Sequence, residues 1–243
     1  MTHIGIGIGI GFGGGVPSVF SITGSDAVVA GYVADNAVPG ATFTWPDEKG
    51  NAFPLTQGTG SDQPSKTTTG GPSSTPSLLF DGSNDFLVNT ALDRPAPGTQ
   101  PTVMRAVLRQ VTWVSTRNIW SFGAFPVQSM ILYQSPGTPT VTAFNGADGA
   151  SSGALTVNTY KRIRVRYSNQ ASDYLVVGSN AGTNGNATNT DPTASFFVGK
   201  WSNGAFSNFE LCQLWIFNRD LTADEDANID ALWVAKYGAS ITA

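Results

Sequence analysis

The chain reads as an all-β protein, a two-sheet antiparallel sandwich with an extended N-terminal arm and one C-terminal α-helix. Three observations predict this. Short apolar runs recur along the 243 residues and are separated by Gly, Ser, Thr and Asn, with 28 glycines in all, the texture of strands joined by turns. Charged residues make up only 12%, about half the usual share. Helical spacing of apolar residues is confined to one stretch near the end.

The arm comes first. Ile4, Ile6, Ile8, Ile10 and Phe12 alternate with glycines, and Gly13, Gly14 and Gly15 follow. A period of two puts every apolar side chain on one face of an extended strand, and the glycines raise the entropic cost of ordering it. Such a strand needs an outside surface that supplies an apolar groove and a hydrogen-bond ladder. Residues 1–24 are therefore expected to be an assembly arm that docks on copies of the same chain or on other proteins. Residues 25–243 form the sandwich.

Within the sandwich, Val28 to Val33 is a short strand and 45–51 a turn cluster. Residues 58–77, rich in Gly, Ser, Thr and Pro, are expected to be a long surface loop with little core. Leu78-Leu79-Phe80 and Phe86-Leu87-Val88 flank Asp81-Gly82 and read as a hairpin. Further strands are expected at 102–108, 117–122, 129–133, 140–144, 161–167, 174–177, 196–199 and 209–218, and 178–193 as a mobile loop tip. About ten short strands make a sandwich. Strict alternation in the last strand puts Phe209, Leu211, Trp215 and Phe217 on one face and Cys212, Leu214 and Ile216 on the other. Both faces are apolar, so both need cover. Thr222 with Glu225 forms a capping box, Ile229, Leu232, Trp233 and Lys236-Tyr237 follow at helical spacing, and Gly238 ends the run. A helix over about 222–237 is predicted to fold back on the sandwich.

Composition excludes several classes. A net charge of −4 argues against a nucleic-acid binder. The GxG spacings of the arm follow no strand and lack Gly-Lys-Ser/Thr, so they make neither a dinucleotide fold nor a P-loop. No Lys or Arg precedes Lys49, and glycine interrupts every second position of the leader, so no secretory signal is read and no membrane span. The single cysteine, Cys212, permits no internal disulfide. His3, the one histidine, leaves no His-based triad or zinc site.

Several segments together resemble the concanavalin A-like, laminin-G-type jelly-roll domains found in lectin-like and bacteriophage virion proteins. They are 29–36, then Trp45 with Asp47, Lys49, Gly50 and Asn51, then 55–57, Gln63-Pro64 and 79–87. The last runs from Glu210 through Asn218-Arg219-Asp220-Leu221-Thr222 and Glu225 to Lys236-Tyr237-Gly238. The resemblance covers about residues 28–238 and implies two antiparallel sheets packed face to face. It does not imply one function, because the architecture serves lectins, glycosidases, adhesion modules and virus particles.

Glycosidases work with paired carboxylates about 5–9 Å apart, whereas this chain has three glutamates, Glu48, Glu210 and Glu225, in a turn, a strand start and a helix N-terminus. Only Glu210 is placed on a sheet, so an enzyme is not expected; glycoside hydrolysis would require turnover lost in Glu210→Gln. Asp81, Asn84 and Asp85 bring hard oxygens together and are a weak calcium candidate, though such residues also simply make turns. Arg162, Arg164 and Arg166 share one strand face, a solvated face or a contact for an acidic neighbour or anionic polysaccharide. Trp201 and Asn203 in Lys200-Trp201-Ser202-Asn203, with Trp113, are candidate glycan-binding residues, buried tryptophan being the plainer reading. The expected function is a non-enzymatic structural protein of a bacteriophage virion, a capsid decoration, fibre or tail-associated subunit. It would be made in the host cytoplasm, anchored by its arm to other virion proteins or copies of itself, with no nucleic acid or membrane partner. Its outward domain would meet host surface polysaccharide. The alternative is a lectin module recognising a cell-surface glycan.

Overall fold

The computed structural model describes residues 27–241 except 51, 93–100, 115, 123–128, 135–139, 145–148, 152–155, 168–172, 178–179, 185–194 and 201–203. The arm residues Ile4, Ile6, Ile8, Ile10 and Phe12 lie outside the described residues, as do Trp201 and Asn203.

The strands in chain order are β1 (Val28–Val33), β2 (Phe43–Trp45), β3 (Leu55–Gln57), β4 (Ser65–Thr67), β5 (Ser77–Asp81), β6 (Leu87–Asn89), β7 (Thr102–Gln110) and β8 (Asn118–Phe122). They continue with β9 (Ser129–Gln134), β10 (Val141–Phe144), β11 (Gly149–Ser151), β12 (Lys161–Tyr167), β13 (Asp173–Val177), β14 (Asn180–Asn184), β15 (Phe196–Val198) and β16 (Asn208–Phe217). One sheet has the order β14-β13-β12-β7-β16-β5-β4, with β1 also on β16; the other runs β11-β10-β9-β8-β15-β6-β3-β2. Strand β5 pairs with residues 208–211 of β16 and β1 with 213–217, so the two share one edge of it.

The inner faces interdigitate as an aromatic-rich core. Phe80 stacks on Phe209 with ring centroids 4.6 Å apart, and Phe122 meets Phe196 at 4.5 Å. Trp120 Nε1 donates to Tyr167 Oη across the core at 3.1 Å, so a buried indole N–H is satisfied as burial requires. A second core lies on the outer face of the first sheet beneath helix α1 (Ala223–Tyr237). Ile229, Trp233 and Tyr237 pack there against Val103, Val107, Trp215 and Phe217. The helix begins as its sequence predicts: Thr222 Oγ1 accepts from Glu225 N–H at 3.2 Å, and Glu225 accepts from Thr222 N–H at 2.8 Å. At its other end the Gly238 N–H donates to Val234 O at 2.9 Å.

Four expectations are corrected. The faces of β16 change parity at a bulge between Leu211 and Gln213. Phe209, Leu211, Leu214 and Ile216 all point into the sandwich, while Cys212, Trp215 and Phe217 point to the helix. One extra residue moves every later side chain to the opposite face. The Asp81-Gly82 turn is no hairpin, because β5 belongs to one sheet and β6 to the other. It is a corner, pinned where Phe86 N–H donates to Asp62 O at 3.0 Å. Residues 58–77 contain strand β4 and the buried Pro72, and Ser73 Oγ donates to Tyr237 O at 2.8 Å. That segment closes the C-terminal end of the helix layer. Within 178–193, the described residues 180–184 form β14, paired with β13.

Candidate functional site

Strands β7 and β16 run side by side, with Arg109 opposite Glu210. Both precede the bulge and both point to the outer face, where Tyr160, just before β12, leans over them. Glu210 Oε1 accepts from Arg109 Nη2 at 2.8 Å, and Oε2 accepts from Ser77 Oγ at 3.3 Å and from Tyr160 Oη. The phenol also reaches Gly70 O at 2.8 Å; having one proton, it serves one acceptor at a time. The Arg109 guanidinium stands 5.0 Å from the Tyr160 ring centroid, within cation–π range. Glu210 is 5% exposed and Tyr160 9%, whereas the Arg109 side chain is 27% exposed and forms the open side of the cluster.

Burial, then the neighbouring Cys212 and Glu210, push the Tyr160 phenol well above its ordinary range. The Cys212 thiol is also driven up by burial, which keeps it protonated and inert. The arrangement therefore offers a carboxylate anchored by a guanidinium, with a neutral phenol donating to it. No second carboxylate is among the hydrogen-bond partners of Glu210 in the described residues. The phenol therefore keeps its proton at rest and donates it as a hydrogen bond to Glu210.

The other glutamates are structural. Arg219 grips Glu225 at 2.8 and 2.9 Å and holds its carboxyl at about 2. Glu48 accepts from Asn36 Nδ2 at 2.9 Å, and burial raises it.

The basic strand face is met by the protein's own helix and the segment just before it. Arg162 pairs with Asp230 at 2.9 Å, Arg164 with Asp226, and Arg166 with Asp220 at 2.6 Å. Arg105 on β7 bridges Asp226 and Asp230 beneath them and lies 5.0 Å from the Trp233 ring centroid. The acidic neighbour of this face thus comes from the same chain, within the sheet–helix interface.

At the corner, Asp81 Oδ1 accepts from Ser83 and Asn84 N–H at 2.8 and 3.3 Å, and Asp85 Oδ2 accepts from Asp81 N–H at 2.9 Å. Asn84 Nδ2 donates to Ser61 O at 2.7 Å and Asp62 Oδ1 at 3.1 Å. These side chains hold the turn, and among the described residues no three His, Cys, Asp or Glu side chains gather as a cation would need. Trp113, on the link between β7 and β8, packs against the inner core, half-buried.

Tyr160 and Arg109 were not singled out from sequence. Arg109 carried a usable signal, since it follows Arg105 and Val107 at a spacing of two on a strand whose outer face must be covered. Tyr160 sits in irregular chain just before β12 and gives none.

No protein-family model and no curated protein matches the chain. Solved structures do. Trypanosoma rangeli sialidase shares 12% identity at a TM-score of 0.64, over 91% of this chain and 34% of that one. An arabinofuranosidase complexed with arabinofuranosyl-α-1,2-xylobiose shares 14% at 0.60, over 80% and 50%. A GH54 α-L-arabinofuranosidase soaked with a cyclic sulfate inhibitor shares 13% at 0.59, over 81% and 52%. At such identities the likeness is one of fold, a two-sheet β-sandwich, and this chain spans about a third to half of those proteins. The expectation of a non-enzymatic bacteriophage virion subunit is overturned by these neighbours, which are glycosidases. Among the described residues no helix is long and apolar enough to cross a membrane.

Proposed function

We propose that this chain has a carbohydrate-processing function, as a β-sandwich that takes part in glycoside hydrolysis. One observation supports the reading above the others: the same sandwich, over 80–91% of the chain, occurs in two kinds of glycosidase. Glu210 is the residue assigned to chemistry, with Tyr160 as its partner. Where glycosidases depart from the carboxylate pair, tyrosine serves as nucleophile in sialidases. By that route the Tyr160 proton passes to Glu210 as the phenolic oxygen bonds to the anomeric carbon, and Glu210 hands that proton to the aglycone oxygen, which leaves with the electrons of its bond. Water then displaces the phenolic oxygen, losing one proton to Glu210, which returns it to the phenolate. Arg109 keeps Glu210 oriented throughout.

The test is release of 4-nitrophenol from 4-nitrophenyl α-L-arabinofuranoside, and of the fluorophore from an aryl sialoside, by the whole chain. Turnover of either is expected to fall by about 10²–10⁴ in Glu210→Gln, the usual worth of a positioned acid–base group, and comparably in Tyr160→Phe. Absence of turnover on both substrates, or full activity in Glu210→Gln, overturns the assignment.

A further inference from the structure

We propose that Lys236 and Asp35 condense into an intramolecular amide bond, with Glu48 as the carboxyl that moves the protons, so that the end of helix α1 is joined covalently to the segment that follows β1. Lys236 stands in the last turn of the helix, and its Nζ lies 2.6 Å from Asp35 Oδ2. Asp35 belongs to the short 3-10 turn Ala34–Asn36, and the two residues are 201 positions apart in the chain. Each is held in place by other groups. Lys66 Nζ donates to Asp35 O and to Ala37 O, both at 2.8 Å, and so fixes the backbone of the turn. Ser73 Oγ fastens the helix end through Tyr237 O. The Lys236 side chain is 9% exposed and that of Asp35 25%, and the Tyr237 ring stands beside the amine with its centroid 5.1 Å from Nζ.

The cations that meet the acidic side chains of the helix elsewhere, Arg105, Arg162 and Arg164, carry guanidinium groups that stay charged. A lysine can lose its proton and become a nucleophile. The Asp35 carboxyl carbon is one bond beyond the oxygen that Nζ touches, close to the roughly 3–3.5 Å of a near-attack arrangement. An amine and a carboxyl free in water do not condense, but groups held in this way react as though present at about 10⁵–10⁸ M. A third carboxyl completes the set. Glu48, in the turn after β2, is pinned to β1 where its N–H donates to Gly31 O at 2.8 Å. Beyond the bond that its Oε1 accepts from Asn36, its Oε2 is buried with no hydrogen bond. A buried polar atom without a partner calls for an explanation, and an oxygen that carries a proton in use is one. Burial raises the Glu48 carboxyl, while Lys236 lowers it and Asp35 raises it. The three groups are therefore within electrostatic reach of one another, and Glu48 holds a proton more readily than an exposed glutamate does.

The step balances without a co-reactant. The ammonium proton crosses to the Asp35 carboxylate, which leaves a neutral amine facing a neutral acid. The Nζ lone pair then bonds to Asp35 Cγ. Glu48 gives its proton to the hydroxyl oxygen of Asp35, which departs as water with the electrons of its C–O bond, and takes one proton from Nζ, so that it ends as it began. The product is an amide between helix and turn. A link across 201 positions restricts the unfolded chain as a disulfide closing so long a loop would, in a protein whose single cysteine permits no internal disulfide.

The test is the intact mass of the whole folded chain, followed by proteolysis and peptide sequencing by mass spectrometry. The chain is expected to weigh less than its sequence by one water, to yield a branched peptide joining residues 35 and 236, and to migrate faster than the linear chain on a denaturing gel. Lys236→Arg keeps the charge and cannot form the amide, and Asp35→Ala removes the acceptor; both are expected to show the full linear mass and mobility. Glu48→Gln keeps an oxygen for Asn36 and cannot move the proton. In protein released by a pulse of cell-free synthesis, it is expected to slow the appearance of the joined form by about 10²–10⁴. A folded wild-type chain of full linear mass overturns the proposal. So does a water loss that persists in Lys236→Arg or that maps to Asp81-Gly82, where a cyclic imide would give the same mass. Joining as fast in Glu48→Gln as in the wild type overturns the role given to Glu48.

Discussion

Asp85 is buried in the corner between β5 and β6, with Asp81 and Asp62 close by. Burial first, and then those charges, push its carboxyl up to about 6, against an ordinary value near 3.9. A group whose acid is weakened by folding favours the native state while it is protonated, so this contribution is complete below about pH 4 and is lost as pH rises through 6. Asp85→Asn keeps an oxygen for the Asp81 N–H and cannot ionise. It is expected to flatten the fall in stability between pH 4 and 7 and to raise Tm at pH 7 by about 2–4 °C, the effect of a solvent-discounted ~1 kcal/mol in a chain of this size. Thermal melts of both proteins at several pH values decide it; parallel curves would place the cost elsewhere. That Asp81-Gly82 turns the chain was legible in the sequence, because the residue types act locally. That the turn crosses from one sheet to the other was not, since one partner of each strand, β16 for β5 and β15 for β6, is more than a hundred residues away.

Helix α1 shows what a local signal can and cannot carry. The capping box and the stripe of Ile229, Trp233 and Tyr237 specify a helix and its buried side before any partner is known. The docking surface was harder to read, because the bulge in β16 exchanged the faces of Leu214 to Phe217 and so hid which residues the helix would meet. The clamp of Arg105 under Asp226 and Asp230 was equally unreadable, as it joins residues 121 and 125 positions apart. Burial raises Asp226 while Arg105 and Arg164 pull it down, so the ion pairs offset a desolvation cost. Removing one partner from such a pair costs about 3–5 kcal/mol, against about 1 kcal/mol for losing an N-cap hydroxyl. Arg105→Met is therefore expected to destabilise the protein severalfold more than Thr222→Ala in urea unfolding. Equal losses would mean that Arg164 and Arg162 hold the helix unaided.

At the scale of the whole molecule, two edge strands from opposite sheets, β11 and β14, approach each other and close one side of the sandwich. They meet at Gly182, where an added Cβ would fall 1.8 Å from the carbonyl oxygen of Ser151. Only a residue without a side chain allows the two backbones to come so near, and the closure protects two edges that would otherwise be free to pair with other chains. Glycine in 178–193 was read as a sign of a loop because composition does not distinguish a turn from a close approach of backbones. Gly182→Ala must push β14 away from β11, and overpacking of this kind costs about 1–3 kcal/mol. The loss should stay at that side. Amide exchange is expected to accelerate in 141–151 and 173–184 and to stay slow in β7 and β16, which lie deep in the first sheet. Destabilisation shared evenly by β7 and β16 would show that the edge contact is part of the global fold and not a local seam, and an unchanged Tm would show that the sheets separate there without cost.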